Sequence, residues 1–260
     1  MQVGPFDHHY SHNAGATLDW DGNDSPEAFA EKLEKYPTKD LIYYRDNPLT
    51  YKLNNKGFRT PDDFTDKSKG NVFIGCSHTF GTGHYLENTW GYMLSQEIGG
   101  DYLNLGVPGS SIATGFRLLR FWFNKFDIDN IFIFYPHKFR FEFNWKRQHI
   151  TLMPHHKNVL DLSPTLMSMY MSNLKAENYY LSNLYAILYF AKVANVPVFS
   201  YITSEIPAKY ENPNSPVETA RDTHLTVSQQ YTVYTEMLDR YKSGYTIEKE
   251  KDLEYLVEIL

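Results

Sequence analysis

Ser77, Asp222 and His224 supply a hydroxyl, a carboxylate and an imidazole, the three side-chain groups of nucleophilic acyl transfer. The hydroxyl attacks a carbonyl, the imidazole takes its proton, the carboxylate orients the imidazole, and backbone N–H groups hold the developing oxyanion. Ser77 lies in Gly75-Cys76-Ser77-His78-Thr79-Phe80-Gly81-Thr82-Gly83, directly after the apolar run Asn71 to Ile74. Gly109 lies in Gly106-Val107-Pro108-Gly109-Ser110-Ser111, directly after a second run, Tyr102 to Leu105. The N–H groups of Ser77 and Gly109 are therefore candidate oxyanion donors. Asp222 and His224 precede the last helical pattern of the chain.

Positioning these residues needs strands that end where the loops begin. Asn71 to Ile74, Tyr102 to Leu105, Ile131 to Tyr135 and Val198 to Ile202 read as four buried strands. Helical spacing follows them: Trp90, Met93, Leu94 and Ile98 before Gly99, then Ile112, Phe116, Leu119, Phe123 and Phe126. Asn183 to Ala194 reads as a further helix, and Val227, Tyr231, Tyr234, Leu238 and Tyr241 as the closing one. Alternation of this kind predicts an α/β fold, a mainly parallel, doubly wound sheet in three α/β/α layers, with ligands beyond the carboxyl ends of the strands. Upstream, Ser25 and Pro26 open a short helix with Phe29, Leu33 and Tyr36 on one face. Leu41 to Tyr44 and Thr50 to Leu53 read as short strands, and Asn54-Asn55-Lys56-Gly57 as a turn. Residues 1–68 form an amino-terminal extension packed on a core domain, 69–260, which carries an insertion at about 136–176. Phe139 to Trp145 and His149 to Leu152 are strand candidates inside that insertion, Glu205 to Arg221 is a second long loop, and Leu253, Leu256, Val257 and Leu260 form an amphipathic tail.

Ile74-Gly75-Cys76-Ser77-His78-Thr79 resembles the Ser-bearing block of the SGNH (GDSL-like) hydrolases in a Gly-Cys-Ser variant. Asn104-Leu105-Gly106-Val107-Pro108-Gly109 is similar to their second block, Asp222-Thr223-His224 to their carboxy-terminal block, and Asn54-Asn55-Lys56-Gly57-Phe58-Arg59 to a segment that often precedes the Ser block. The resemblance implies an SGNH/flavodoxin-like sheet, Ser77 as nucleophile, His224 as base, Asp222 as its orienting acid, and Gly109 as oxyanion donor. It covers Tyr51 to Phe134 and Val198 to Leu238. Three departures stand out. Tyr135-Pro136-His137-Lys138 replaces the third block's Asn, so either His137 donates in its place or that donor is missing; Cys76 replaces an Asp; and a single residue, Thr223, separates Asp222 from His224. The last spacing also occurs in related polysaccharide O-acetyltransferases.

Each assignment has a plainer alternative. Ser77 fits a helix cap, and Asp222 with His224 an N-cap pair. His137 fits a hydrogen-bonded structural histidine, and Arg140 with Glu142 an ion pair. Arg140 and His78 are the candidates for substrate binding, and Cys76 is a rival nucleophile. His8, His9 and His12, or His155 and His156, cluster without a metal-binding spacing, and no phosphate loop or dinucleotide fingerprint is present, so no metal and no cofactor is expected.

Composition narrows the field. The 260 residues are 42% hydrophobic and 22% charged, which suits a globular chain. A net charge of −6 disfavours non-specific nucleic-acid binding. One cysteine excludes an intrachain disulfide. No run approaches a membrane span and no secretory signal is visible, so a cytoplasmic location is expected; oligomeric state is not encoded in any motif. Aromatic residues make up 16%, which suits cores and sugar-binding clefts alike. The reading is a serine esterase or deacetylase acting on a small acyl, chiefly acetyl, ester of a small molecule or glycan. Its alternatives are an O-acyltransferase with the same triad and a non-catalytic glycan-binding or assembly protein on an SGNH scaffold.

Overall fold

The computed structural model describes residues 7–19, 26–145, 148–152, 172–201, 206–221 and 224–247. In chain order the elements are β1 (Thr17–Asp19), α1 (Pro26–Lys35), α2 (Lys39–Asp46), β2 (Thr50–Lys52), β3 (Lys69–Ile74), α3 (Ser77–Phe80), α4 (Trp90–Ile98), β4 (Asp101–Asn104), α5 (Ile112–Trp122), β5 (Asp127–Phe134), β6 (Phe141–Trp145), β7 (Gln148–Leu152), α6 (Asn173–Val193), β8 (Val198–Tyr201) and α7 (Val227–Ser243). β4, β3, β5 and β8 form a four-stranded sheet in that order, parallel throughout.

The apolar runs of these strands conceal a period of two. Val72, Ile74, Leu103, Leu105, Ile131, Ile133 and Val198 are aliphatic and meet Leu118 and Leu119 of α5 and Leu184, Ile187 and Ala191 of α6. The alternate residues, Phe73, Tyr102, Phe132, Phe134, Phe199 and Tyr201, are aromatic and meet Trp90 and Leu94 of α4 and Val233 and Met237 of α7. Successive strand side chains point to opposite faces, so each face has its own core and its own pair of helices. Phe73, Phe132 and Phe199 stack across three neighbouring strands at centroid spacings of 5.3 and 5.2 Å. Gly115 lets α5 lie close on the aliphatic face: a Cβ there would meet Ile74 Cγ2 at 2.5 Å.

The residues ahead of β3 add a third cluster. Tyr10, Tyr44, Leu49, Tyr51 and Leu53 pack with Phe80, Val217 and Val227, so the amino-terminal segment lies against the loops at the carboxyl edge of the sheet. β2 falls on the strand expected at Thr50 to Leu53 and pairs antiparallel with β1, for which the sequence gives no strand signal. Leu41 to Tyr44 is helical rather than extended: Thr38 accepts from Leu41 N and caps α2, and only Tyr44 of the helix is buried. α6 begins at Asn173, ten residues before the position suggested by its apolar spacing. β6 and β7 fall on the two strand candidates of the insertion and pair antiparallel. Asp222, His155, His156, the remaining part of the insertion and the amphipathic carboxyl tail lie outside the described residues. Among the described residues, no helix is long and apolar enough to cross a membrane.

Candidate active site

At the carboxyl end of β3 the chain is held too tightly for any side chain at Gly75, where a Cβ would meet Thr79 Oγ1 at 2.0 Å and Phe134 O at 2.7 Å. Cys76 then turns the backbone, and Ser77 begins the one-turn helix α3. Thr79 N and Phe80 N both donate to Cys76 O, at 3.1 and 2.9 Å. Gly81, at φ 83°, closes the turn in the left-handed region and donates to Ser77 O. Ser77 is 6% exposed, and its hydroxyl makes one long contact, 3.9 Å, to Cys76 Sγ. Its N–H meets no acceptor among the described residues.

The loop after β4 is fixed against this turn. Val107 N and Ser110 Oγ both donate to Gly75 O, at 3.3 and 3.0 Å. Asn104 is fully buried and acts as a spacer: its Nδ2 donates to Arg59 O and Thr79 O, and its Oδ1 accepts from Gly106 N. Gly109 sits at φ 74°, a backbone conformation that favours glycine, and its N–H also meets no acceptor among the described residues. Two open amides thus belong to the two loops that flank the sheet edge. Ser77 is buried and Gly109 half-buried, and an open amide in such a place suits an anionic ligand atom.

His224 returns to this edge from the far end of the chain. Its ring lies edge-on to that of His78, centroids 5.8 Å apart, and the His78 ring also packs on Phe134 at 5.4 Å. Two side chains fasten the returning segment. His84 is fully buried, with Nε2 donating to Leu225 O at 2.6 Å. Gln230 of α7 accepts from Trp90 N through Oε1 and donates to His78 O through Nε2. Thr226 caps α7 and shares a capping box with Gln229, which fixes where His224 leaves the helix. No hydrogen bond joins Ser77 to His224.

Arg59 carries the upstream segment into the site. It is 2% exposed, and its guanidinium donates to Phe80 O, Gly81 O and His84 O at 3.2, 2.6 and 2.7 Å, over the Tyr51 ring at 4.3 Å. Burial holds its pKa below the usual arginine value, with nearby tyrosines opposing the shift. Its three acceptors are the carbonyls at and just beyond the end of α3; Gly81 O also accepts from His84 N at 3.1 Å. Arg59 thereby positions the Ser77 turn from behind.

Of the sequence candidates, Ser77, His78 and His224 come together at the sheet edge, and Gly109 lies in the loop that Ser110 ties to Gly75 O. His137 contacts its own loop, where Nδ1 accepts from Phe139 N at 3.2 Å and the ring packs on Phe139. Partial burial, with Arg140 and Lys138 nearby, lowers its pKa. Arg140 reaches the second loop, donating to Ser110 O at 3.4 Å. Glu142 pairs with Arg117 of α5 rather than with Arg140. The described residues hold no group of three or more His, Cys, Asp or Glu placed to share a metal ion. Arg59, Asn104, His84 and Gln230 are the positioning residues to which the sequence assigns no role. Comparison of the chain with models of known protein families and with curated proteins returns no match.

Proposed function

We propose that this chain is a serine esterase of the SGNH type that removes a small acyl group, chiefly acetyl, from an alcohol. What supports the reading is the return of the His224 loop onto the Ser77 turn, where the rings of His78 and His224 meet at 5.8 Å. In this reading Ser77 Oγ turns from Cys76 Sγ towards the His224 imidazole, loses its proton to it, and attacks the ester carbonyl. The open amides of Ser77 and Gly109 hold the oxyanion, and His224 returns the proton to the leaving alcohol. Water then attacks the acyl-enzyme with His224 again as base. Asp222 is assigned to orient the imidazole. Without His137 the reading has two oxyanion donors, and one donor fewer lowers turnover by about 10²–10³-fold. The parallel sheet would then be the doubly wound sheet of that family, and the chemistry needs no cofactor.

One observation favours a second reading, a non-catalytic glycan-binding or assembly protein: the Ser77 hydroxyl meets sulfur rather than imidazole. Hydrolysis of p-nitrophenyl acetate separates the two. The esterase reading expects Ser77→Ala to lower kcat by about 10³-fold or more and to abolish labelling by a fluorophosphonate. Turnover left intact by Ser77→Ala rejects the mechanism, and absence of turnover and labelling in the wild type supports the binding protein. Product analysis with a glycan acceptor separates hydrolysis from O-acyl transfer.

A further inference from the structure

Beside the second loop lies a cavity of about 190 Å³ that the proposed chemistry leaves unused. Gly109 and Ser110 form one wall, α5 contributes Arg117, the β6–β7 hairpin contributes Glu142, His149 and Thr151, and His8 and His9 close it from the amino-terminal segment. Gly109 therefore belongs both to this cavity and to the oxyanion site. Ser110 Oγ on Gly75 O ties the same wall to the strand end just before Ser77.

We infer that the cavity is a subsite for one neutral sugar ring, the alcohol part of the substrate in the esterase reading, on which this inference rests. Its charges cancel internally. Arg117 Nε and Nη2 donate to the two oxygens of Glu142 at 2.7 and 2.8 Å, and Nη1 donates to Asp7 O at 2.9 Å. Both side chains are largely buried, 17% and 10% exposed, so an added ionic group would be taken out of water next to a like charge. Hydroxyl groups carry no such penalty. A carboxylate offers about four lone-pair sites, and the guanidinium fork occupies two of those on Glu142, which leaves acceptors for neighbouring hydroxyls of a ring. His149 Nδ1 lies 4.0 Å from Glu142 Oε1 and brings a second ring-bearing polar group to the same spot. His8 is rigid: Nε2 donates to Lys56 O, Nδ1 accepts from Tyr10 N, and the ring lies 4.2 Å from that of Phe58. Burial pushes its pKa down to about 3, so it stays neutral and adds a flat, uncharged surface to the wall. The volume is below the ~300 Å³ at which pockets for drug-sized ligands begin, which suits a single ring rather than an oligosaccharide.

The test is binding to the Ser77→Ala protein, which keeps the site and does not consume an ester. Methyl glucopyranoside and methyl glucuronide are titrated in parallel and followed by NMR shifts of the histidine ring protons. Saturable binding of the glucoside, weakened about ten-fold by Glu142→Gln and by the cavity-filling Thr151→Phe, supports the subsite. Two variants keep the test open if one fails to fold. No binding, binding indifferent to both substitutions, or tighter binding of the glucuronide overturns it. In the active protein, Glu142→Gln is expected to lower kcat/KM for monoacetylated methyl glucoside about ten-fold more than for p-nitrophenyl acetate; equal losses overturn the assignment. The two ideas fail separately, because absence of p-nitrophenyl acetate hydrolysis refutes the esterase while glucoside binding still supports the cavity.

Discussion

Replacing Arg59 by methionine removes the clamp behind Ser77 while nearly preserving side-chain volume, so the loss measures hydrogen bonds rather than a cavity. The carbonyls of Phe80 and His84 lose their donor, and that of Gly81 keeps only His84 N, in a place where Arg59 itself is 2% exposed and water has little access. Hydrogen bonds involving a charged group contribute roughly 1.5–3 kcal/mol each. Against the sum stands the desolvation of the buried guanidinium, which the substitution relieves. The net expectation is a loss of about 3 kcal/mol, read as a fall of roughly 1 M in the urea midpoint by tryptophan fluorescence. Arg59→Lys is expected to recover only part of it, because one ammonium cannot reproduce the planar fork that spans these carbonyls. The esterase reading adds a slower fluorophosphonate labelling of Ser77 in the Met variant under conditions where it remains folded. A midpoint shift below about 0.3 M, or full recovery by lysine, would refute the clamp.

Asn104→Ala leaves Gly106 N and the carbonyls of Arg59 and Thr79 without the side chain that bridges them, and is expected to cost about 2–4 kcal/mol by denaturant titration. Gly115→Ala drives a methyl into Ile74 Cγ2 and is expected to lower stability by about 1–3 kcal/mol, read from the same midpoints. His8 makes the fold sensitive to acid. Its folded pKa is about 3 against an ordinary value of 6.5, so between these pH values the unfolded chain binds a proton that the folded chain does not. Stability is therefore full above pH 6.5 and falls as the pH drops, by about 2 kcal/mol at pH 5. Urea midpoints at pH 7.5 and pH 5 should diverge less in His8→Gln than in the wild type; equal divergence would show that His8 is not the group responsible.

The four central strands were legible because each is a short apolar run between turn residues, and the helices α4 and α5 because their apolar residues recur at three and four. Leu41 to Tyr44 misleads by the same rule: four residues are too few to separate a buried strand from a helix, and the deciding signal is Thr38, which caps α2 through Leu41 N. The early start of α6 escapes the spacing because its first turns bury Ala176 and Tyr180 among polar residues rather than an aliphatic stripe. β1 was not legible, since its three residues alternate only exposed and half-buried and owe their extension to pairing with β2. In the site, Ser77, Gly109, His78 and His224 carry reactive or conformationally special groups and advertise themselves. Arg59, His84 and Gln230 act through partners between 21 and 152 positions away, a relation that no local pattern records.

The order of chemical groups along the chain, and the alternation of elements that places them in loops, follow from residue type and spacing alone, because hydrophobic period and turn chemistry are local properties. Tertiary structure decided which loops touch, which carbonyls Arg59 fills, that His137 bonds to its own loop, and that Glu142 takes Arg117 of α5 rather than Arg140. Those choices depend on closing long stretches of chain around two separate cores, where burial makes an unmet hydrogen bond costly and so selects among contacts the sequence leaves equally available.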